Sequence, residues 1–165
     1  MTVVLPHVSV LVLGIGNLVM GDDAVGVLVA QRLQREYRFA DNVEIMDGGT
    51  LGLDLLPKLE NITHLIMIDA VETGKKAGTY VRLCGDELPI ALQTKVSPHQ
   101  MGLKDLLAVS ELMGHTPKEM VLIGVQPGSI EMEIGLTAEV QAQLDLLVSG
   151  VLSELAAWGI TATPV

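Results

Sequence analysis

The fold is decided by the stretch VSVLVLGIGNLVMGDDAVGVLVAQRLQREY, residues 8–37. It starts with a continuous apolar run, Val8–Gly14, which is typical of a β-strand covered on both faces. Asp22 and Asp23 follow, and acidic residues are favoured at a helix start, so we predict a helix from there to about Tyr37. A buried strand that leads into a helix is the first half of a βαβ unit.

Short apolar runs and helical patterns continue to alternate along the rest of the chain. They predict strands at Val43–Met46, His64–Asp69, Thr79–Cys84 and Met120–Val125, and a last helix between Thr137 and Gly159. Only about nine residues separate the third strand from the fourth, too few for a crossover helix, so the fourth strand is expected to be antiparallel.

This pattern predicts an α/β fold with three layers, in which a mixed, mostly parallel, twisted sheet of five strands lies between helices. The chain has 165 residues, the size of one domain. Because it contains no linker, repeat or low-complexity tract, we predict a single domain over residues 1–165.

Composition excludes several classes of protein. The chain is 49% hydrophobic with a formal charge of −10, so it is expected to fold and to repel the phosphates of nucleic acid. Its longest apolar stretch, Val8–Met20, is too short to span a membrane, and the start of the chain does not resemble a signal peptide. The one cysteine, Cys84, rules out an internal disulfide and fits a reducing compartment, so a cytoplasmic location is expected.

Polar residues follow the predicted strands where ligands bind in open α/β sheets, beyond the carboxyl ends. They are Asp23 after the first strand, Asp47 after the second, Asp69 at the end of the third, and His99 in the region after the fourth. Asp23, Asp69 and His99 together make a mixed oxygen and nitrogen set, suited to divalent metals such as Ni²⁺ or Zn²⁺.

Each candidate also has a structural interpretation. Asp23 could simply favour the helix start, and His99 could be a solvated residue at the next helix start. Asp47 could stabilise a turn at Gly48 and Gly49. Asp69 ends an otherwise apolar strand, where an unpaired carboxylate would be costly, so a function is favoured there.

A dinucleotide site is the strongest competing interpretation, because Gly14-Ile-Gly16 follows the first strand. The third glycine of that motif is replaced by Val19, and Asp22 and Asp23 would repel a pyrophosphate. Motifs of serine hydrolases, zinc peptidases and paired-cysteine sites are absent from the sequence.

Five segments, in order along the chain, resemble the [NiFe]-hydrogenase maturation endopeptidases. Each segment is weakly specific by itself, and the five together are highly specific. They are Gly14–Gly26 (GIGNLVMGDDAVG), Asp47–Thr50 (DGGT), Ile68–Ala70 (IDA), Ser97–Gly102 (SPHQMG) and Ile123–Pro127 (IGVQP).

The resemblance implies a phosphorylase/hydrolase-like sheet fold and a nickel-dependent endopeptidase. Such an enzyme removes the C-terminal extension of a hydrogenase large-subunit precursor, with the precursor's own nickel as recognition mark. The family's metal ligands fall on Asp23, Asp69 and His99, and its D-G-G motif on Asp47. These four are the predicted catalytic residues, and Zn²⁺ or Cd²⁺ is expected to occupy the site in vitro.

Three alternatives remain at this point. The same trio would serve a nickel-sensing accessory protein without hydrolytic activity. A peptidyl-tRNA hydrolase-like enzyme also opens with a strand and a G-x-G-N turn, but it would need a basic groove. A dinucleotide-binding protein is the third. The expected partner is the hydrogenase precursor, with no nucleic acid and no membrane, and the protein is expected to be a monomer.

Overall fold

The computed structural model describes residues 7–49, 55–85, 87–88 and 107–165. Its strands are β1 Val10–Ile15, β2 Tyr37–Arg38, β3 Val43–Gly49, β4 His64–Ala70, β5 Tyr80–Cys84, β6 Glu119–Val125 and β7 Thr163–Pro164. Its helices are the 3₁₀ turn Gly21–Ala24, α1 Val25–Glu36, α2 Leu56–Leu59, α3 Ala138–Gln141 and α4 Leu144–Ala157. Residues 107–112 are also helical.

The main sheet has five strands in the order β3-β1-β4-β6-β5. Strands β3, β1, β4 and β6 are parallel, and β5 is antiparallel to β6. The predicted α/β class and the five predicted strands are therefore confirmed. The antiparallel orientation of the fourth predicted strand, which is β5 in the structure, is confirmed as well. A second, two-stranded sheet pairs β2 with β7, and the sequence pattern did not predict it.

The strands are apolar throughout because each face of the sheet packs against its own core. On one face, Val10 and Val12 of β1 and Ile66 and Ile68 of β4 lie under α1 and α4, in a cluster that also contains Val29. On the other face, Leu11, Leu13, Leu65 and Met67 form a second cluster together with Leu59 of α2. Two covered faces explain the continuous apolar runs.

Helix α1 lies against β1 and β4 at backbone contact, and two glycines make this possible. A Cβ atom on Gly26 would lie 2.1 Å from the carbonyl oxygen of Ile68 and 2.4 Å from that of Ile15. A Cβ on Gly14 would lie 2.3 Å from the carbonyl oxygen of Gly26. This close packing fixes the start of α1, and therefore the turn before it, against the carboxyl edge of the sheet.

Two local predictions were wrong. Asp47, Gly48 and Gly49 belong to strand β3, not to a turn after it. Gly14 pairs with Asp47 while Ile15 pairs with Gly49, so Gly48 is an extra residue that a bulge accommodates. The predicted last helix is two helices, because α3 ends at Gln141 and α4 begins at Leu144.

Among the residues that the structure describes, no helix is both long enough and apolar enough to cross a membrane.

Candidate active site

The turn after β1 carries Asp22 and Asp23, and glycine allows it to pass close to the strand. Gly16 has a φ of +150°, and a Cβ there would lie 1.9 Å from the carbonyl oxygen of Asp23. The Asp23 amide donates to the carbonyl oxygen of Met20 at 3.1 Å. The two acids therefore belong to a 3₁₀ turn that precedes helix α1, and they are not residues of the helix itself.

Asp23 lies in this turn with its side chain directed inward. The residue is 2% exposed, and its Oδ2 accepts a hydrogen bond from the Asn17 amide at 3.2 Å. Burial of a carboxylate is costly unless it is hydrogen-bonded or paired with a cation. Asp23 thus lies at the start of the helical segment, as the structural interpretation expects, and it is buried there.

Asp69 is the penultimate residue of β4, the strand beside β1, and it is 0% exposed. Its Oδ1 accepts a hydrogen bond from the Ala70 amide at 2.8 Å. The turn that carries Asp23 packs against β4. Two buried carboxylates thus lie at the carboxyl ends of adjacent strands, as the sequence predicted.

Asp47 is exposed and lies on the other side of β1. Its Oδ2 accepts a long hydrogen bond, 3.4 Å, from Nε2 of Gln31 in helix α1. Side chains alternate along a strand. Val43 and Ile45 pack with the core under α1, and Leu65 and Met67 with the opposite core, so Asp47 and Asp69 point to opposite faces of the sheet.

His99, the third member of the predicted metal trio, lies outside the described residues. Within the described ranges, no three His, Cys, Asp or Glu side chains are grouped so that they could hold a metal ion. The structure therefore brings Asp23 and Asp69 to one edge, and the trio itself stays a prediction.

Asp22 is the residue whose role the sequence did not reveal. It is 0% exposed, and its Oδ2 accepts hydrogen bonds from the amides of Gly128 at 2.7 Å and Ser129 at 3.0 Å. The Thr137 amide donates to Oδ1 at 2.7 Å, and the Thr137 hydroxyl donates to Oδ2 at 2.8 Å. Asp22 thereby fixes the loop between β6 and α3 to the turn that carries Asp23.

Gln126 anchors a second loop at the same edge. It belongs to the matching segment Ile123–Pro127, but the sequence did not single it out as a candidate residue. It is 5% exposed, directly after β6. Its Oε1 accepts hydrogen bonds from the Thr73 amide at 2.6 Å and the Thr73 hydroxyl at 2.7 Å, and its Nε2 donates to Glu72 at 3.0 Å. The loop that follows Asp69 is therefore held in place from β6.

The electrostatics of this edge favour a cation. Asp22, Asp23 and Asp69 are all buried there, the segments 14–31 and 119–165 contain no lysine or arginine, and the loop after Asp69 carries two exposed lysines, Lys75 and Lys76. A site with buried carboxylates and low dielectric attracts a divalent cation more strongly than an exposed site does.

The fold and this edge are those of a class of peptidases. The chain matches the model of the hydrogenase maturation protease family (HycI) over residues 27–154, most of its length, and it belongs to that family. It is a hydrolase, a protease of hydrogenase maturation. This result selects the endopeptidase over the peptidyl-tRNA hydrolase-like and dinucleotide-binding interpretations.

Individual relatives agree over nearly the whole chain. The hydrogenase 2 maturation protease of Escherichia coli K12 is 42% identical over 94% of this chain and 95% of its own length. The protein HupD of Rhodobacter capsulatus, named for hydrogenase expression and formation, is 42% identical over 93% of this chain and 74% of its own length.

Solved structures give the same result. The hydrogenase maturating endopeptidase HybD of Escherichia coli has a TM-score of 0.90 and 41% identity, covering 94% of this chain and 97% of that one. The [NiFe] hydrogenase maturation protease HybD of Thermococcus kodakarensis has a TM-score of 0.70 and 27% identity, covering 90% and 98%. The predicted family and fold are confirmed.

Proposed function

We propose that this protease removes the C-terminal extension of a [NiFe]-hydrogenase large-subunit precursor, and that it recognises nickel already bound to that precursor. The observation that carries the proposal is the pair of buried carboxylates, Asp23 and Asp69, at one edge of the sheet. In a protease of this family, two buried acids can form part of a metal site. A precursor that carries nickel would supply the metal ion.

In this proposal the nickel ion is part of the substrate. Asp23 and Asp69 supply oxygen ligands and His99 supplies an imidazole nitrogen, a donor set that borderline divalent metals accept. A metal ion at the scissile bond polarises its carbonyl or lowers the pKa of a water molecule. Free Zn²⁺ or Cd²⁺ would bind the same three residues in vitro.

Asp47 is proposed as the group that accepts the proton of the attacking water. Its exposure supports the proposal, because an exposed carboxylate exchanges protons directly with solvent. Because Asp47 lies on the α1 face, opposite to Asp69, the proton would have to reach it through a chain of waters rather than directly. Asp47→Asn should therefore lower kcat less than Asp69→Asn does, and cleavage at the wild-type rate would remove Asp47 from the mechanism.

The partner is the folded large-subunit precursor, and the enzyme is proposed to work as a cytoplasmic monomer. One catalytic edge and one macromolecular substrate are enough for a single cleavage. Sedimentation of the protein with and without precursor would check this stoichiometry, with a 1:1 complex as the expected result.

The deciding experiment compares precursor that carries nickel with precursor purified without it. Mass spectrometry of the products should show release of a C-terminal peptide from the loaded form only. Equal cleavage of both forms would contradict nickel recognition. Binding of loaded precursor without any peptide release would contradict proteolysis of this substrate.

Three variants assign the ligands in the same assay. Asp23→Asn, Asp69→Asn and His99→Ala should each abolish cleavage of loaded precursor. Asp41→Asn is the matched control, because Asp41 is exposed and lies before β3, at the opposite edge of the sheet. Full activity of Asp69→Asn would overturn the metal role of the pair.

A further inference from the structure

Two loops at the carboxyl edge of the sheet, which also carries Asp23 and Asp69 and is called the catalytic edge below, together expose four large apolar side chains. Leu18 and Val19 are about half exposed, and Met132 and Ile134 are 83% and 85% exposed. The loops are joined by backbone hydrogen bonds, because the Glu133 amide donates to Val19 at 3.0 Å and its carbonyl oxygen accepts from Gly21 at 2.8 Å. These four side chains and their backbone are called the loop platform below.

The platform is held in one arrangement rather than loosely attached. The Asp22 carboxylate fixes both ends of the 128–137 segment through Gly128, Ser129 and Thr137. The Asp22 amide also donates to the Ser129 carbonyl oxygen at 2.9 Å. A surface that is already ordered loses little conformational entropy when a partner binds, so its apolar groups contribute more fully to affinity.

The platform is connected to the turn that carries Asp23. Gly21 belongs both to the turn that carries Asp23 and to the wall of a surface pocket of about 130 Å³. Ile134, Leu136 and Thr137 line the same pocket. This volume is well below the ~300–1,000 Å³ of a typical small-molecule site, and it suits a single side chain of a polypeptide.

Two acidic side chains next to the platform define the chemistry of the partner. Glu131 and Glu133 are both exposed on either side of Met132. From Glu119 to Val165 the sequence has no lysine or arginine to neutralise them. A complementary partner segment therefore carries apolar side chains together with lysine or arginine.

We propose that the loop platform is the docking surface for a segment of the large-subunit precursor, which places an apolar side chain in the pocket and basic side chains against Glu131 and Glu133. The proposal rests on the proposed function, since it names the surface by which the same substrate is held. Asp23 and Asp69 would select for nickel, and the platform would select for the protein that carries it.

Steady-state cleavage of nickel-loaded precursor tests the apolar half of the surface. Met132→Ser and Ile134→Ser should each raise KM about tenfold, the effect of losing one well-packed interface anchor, with kcat unchanged. Leu112→Ser is the matched control. Leu112 is 88% exposed, but it lies near the opposite edge of the sheet, before the loop that leads into β6, so its KM should equal that of the wild type.

The dependence of KM on ionic strength tests the charged part of the surface, Glu131 and Glu133. KM of the wild type should rise between low and high ionic strength, because exposed charge pairs are screened. Glu131→Gln/Glu133→Gln should have a higher KM at low salt and a weaker salt dependence. Glu60→Gln, an exposed acid at the end of α2, should behave as the wild type does.

A photo-crosslinking amino acid at position 132 or 112 separates failure of docking from failure of the proposed function. Crosslinking of the precursor at 132 but not at 112 supports docking, whether or not peptide is released. Cleavage by the wild type, with unchanged KM in both serine variants and equal crosslinking at the two positions, would overturn the docking surface and leave the protease function intact. Docking without cleavage would overturn only the function.

Discussion

At the scale of single residues, the two neighbouring acids of the 3₁₀ turn have different environments. Asp23 lies in the turn that packs against β4, and its buried carboxylate accepts a hydrogen bond from the Asn17 amide. Asp22 is saturated by main-chain and hydroxyl donors of the 128–137 loop. Asp23 is therefore the acid that the proposed function uses as a ligand, and Asp22 holds the surrounding structure in place.

Asp22→Asn is expected to destabilise the protein by about 2–4 kcal/mol, because its amide group turns a donor toward amides that already donate. Chemical denaturation of the variant and the wild type measures the difference. If the loop platform binds substrate, KM should rise as well. A stability within about 0.5 kcal/mol of the wild type would show that these hydrogen bonds matter little.

His64 makes the folded state sensitive to acid. Burial lowers the pKa of its imidazole, with a smaller opposing effect of Glu119 and a lowering effect of Lys118. Its ring lies edge-on against Trp158, with ring centroids 4.5 Å apart. Below pH about 6.5 the unfolded chain therefore binds more protons at this residue than the folded chain does.

The contribution of His64 to stability should accordingly be complete above pH about 6.5 and should decline as the pH falls through that value. His64→Gln should reduce the loss of Tm between pH 7.5 and pH 5.5. His115→Gln, in the loop before β6, serves as the comparison. Equal losses of Tm in the wild type and both variants would contradict the assignment.

At the scale of elements, the antiparallel edge strand β5 is tied to helix α4 by an ion pair. Nε of Arg82 donates to Oε1 of Glu154, and a second guanidinium nitrogen donates to Oε2 at 3.2 Å. This pairing raises the pKa of Arg82. Glu154 is 9% exposed, so loss of Arg82 would leave an almost buried carboxylate without its cation.

Arg82→Met should therefore lower the free energy of unfolding by about 1–3 kcal/mol. The double variant Arg82→Met/Glu154→Met should recover most of that loss, because it removes both charges together. Lys58→Met breaks the exposed pair with Glu44 and should cost less than about 0.5 kcal/mol. A double variant that is less stable than Arg82→Met would contradict this account.

The elements also show which predictions the sequence could support. Continuous apolar runs identify β1, β4 and β6 well, because both faces of these strands are covered. The pattern could not show that β3 continues through Asp47 and Gly49, since two glycines normally indicate a turn. Nor could it reveal β2 and β7, which are each two residues long and pair residues 37–38 with residues 163–164.

The candidate site was predictable to a similar degree. Asp23 and Asp69 follow from strand order, because ligands collect at the carboxyl ends of strands that meet at one edge. The role of Asp22 in fixing the loop between β6 and α3 was not predictable, since its hydrogen-bond partners lie more than 100 residues away in the sequence. The only signal in the sequence was the presence of Asp22, Gly128-Ser129 and Thr137. These residues can be connected only when the position of the loop is known.

At the scale of the whole molecule, the two cores share one sheet. The cluster under α1 and α4 and the second cluster lie on opposite faces of the same five-stranded sheet. This arrangement supports the proposal that residues 1–165 are a single domain.

A single domain should unfold in one cooperative transition. Fluorescence of Trp158, which packs on the α4 side, reports on one face of the sheet, and far-ultraviolet circular dichroism reports on all helices. The two denaturation curves should coincide. Two separate midpoints would mean that the layers fold independently and would contradict the single-domain proposal.

The lack of basic residues after Lys118 also has a consequence for peptide mapping. Trypsin cleaves only after lysine or arginine, so the chain from Glu119 onward, with β6, the 128–137 loop and α4, leaves a digest as one intact fragment. Leu18, Val19, Asp22 and Asp23 leave together on the fragment that ends at Arg32. Any adduct formed at the catalytic edge by these residues would thus be concentrated in two large peptides, which a single mass spectrum can distinguish.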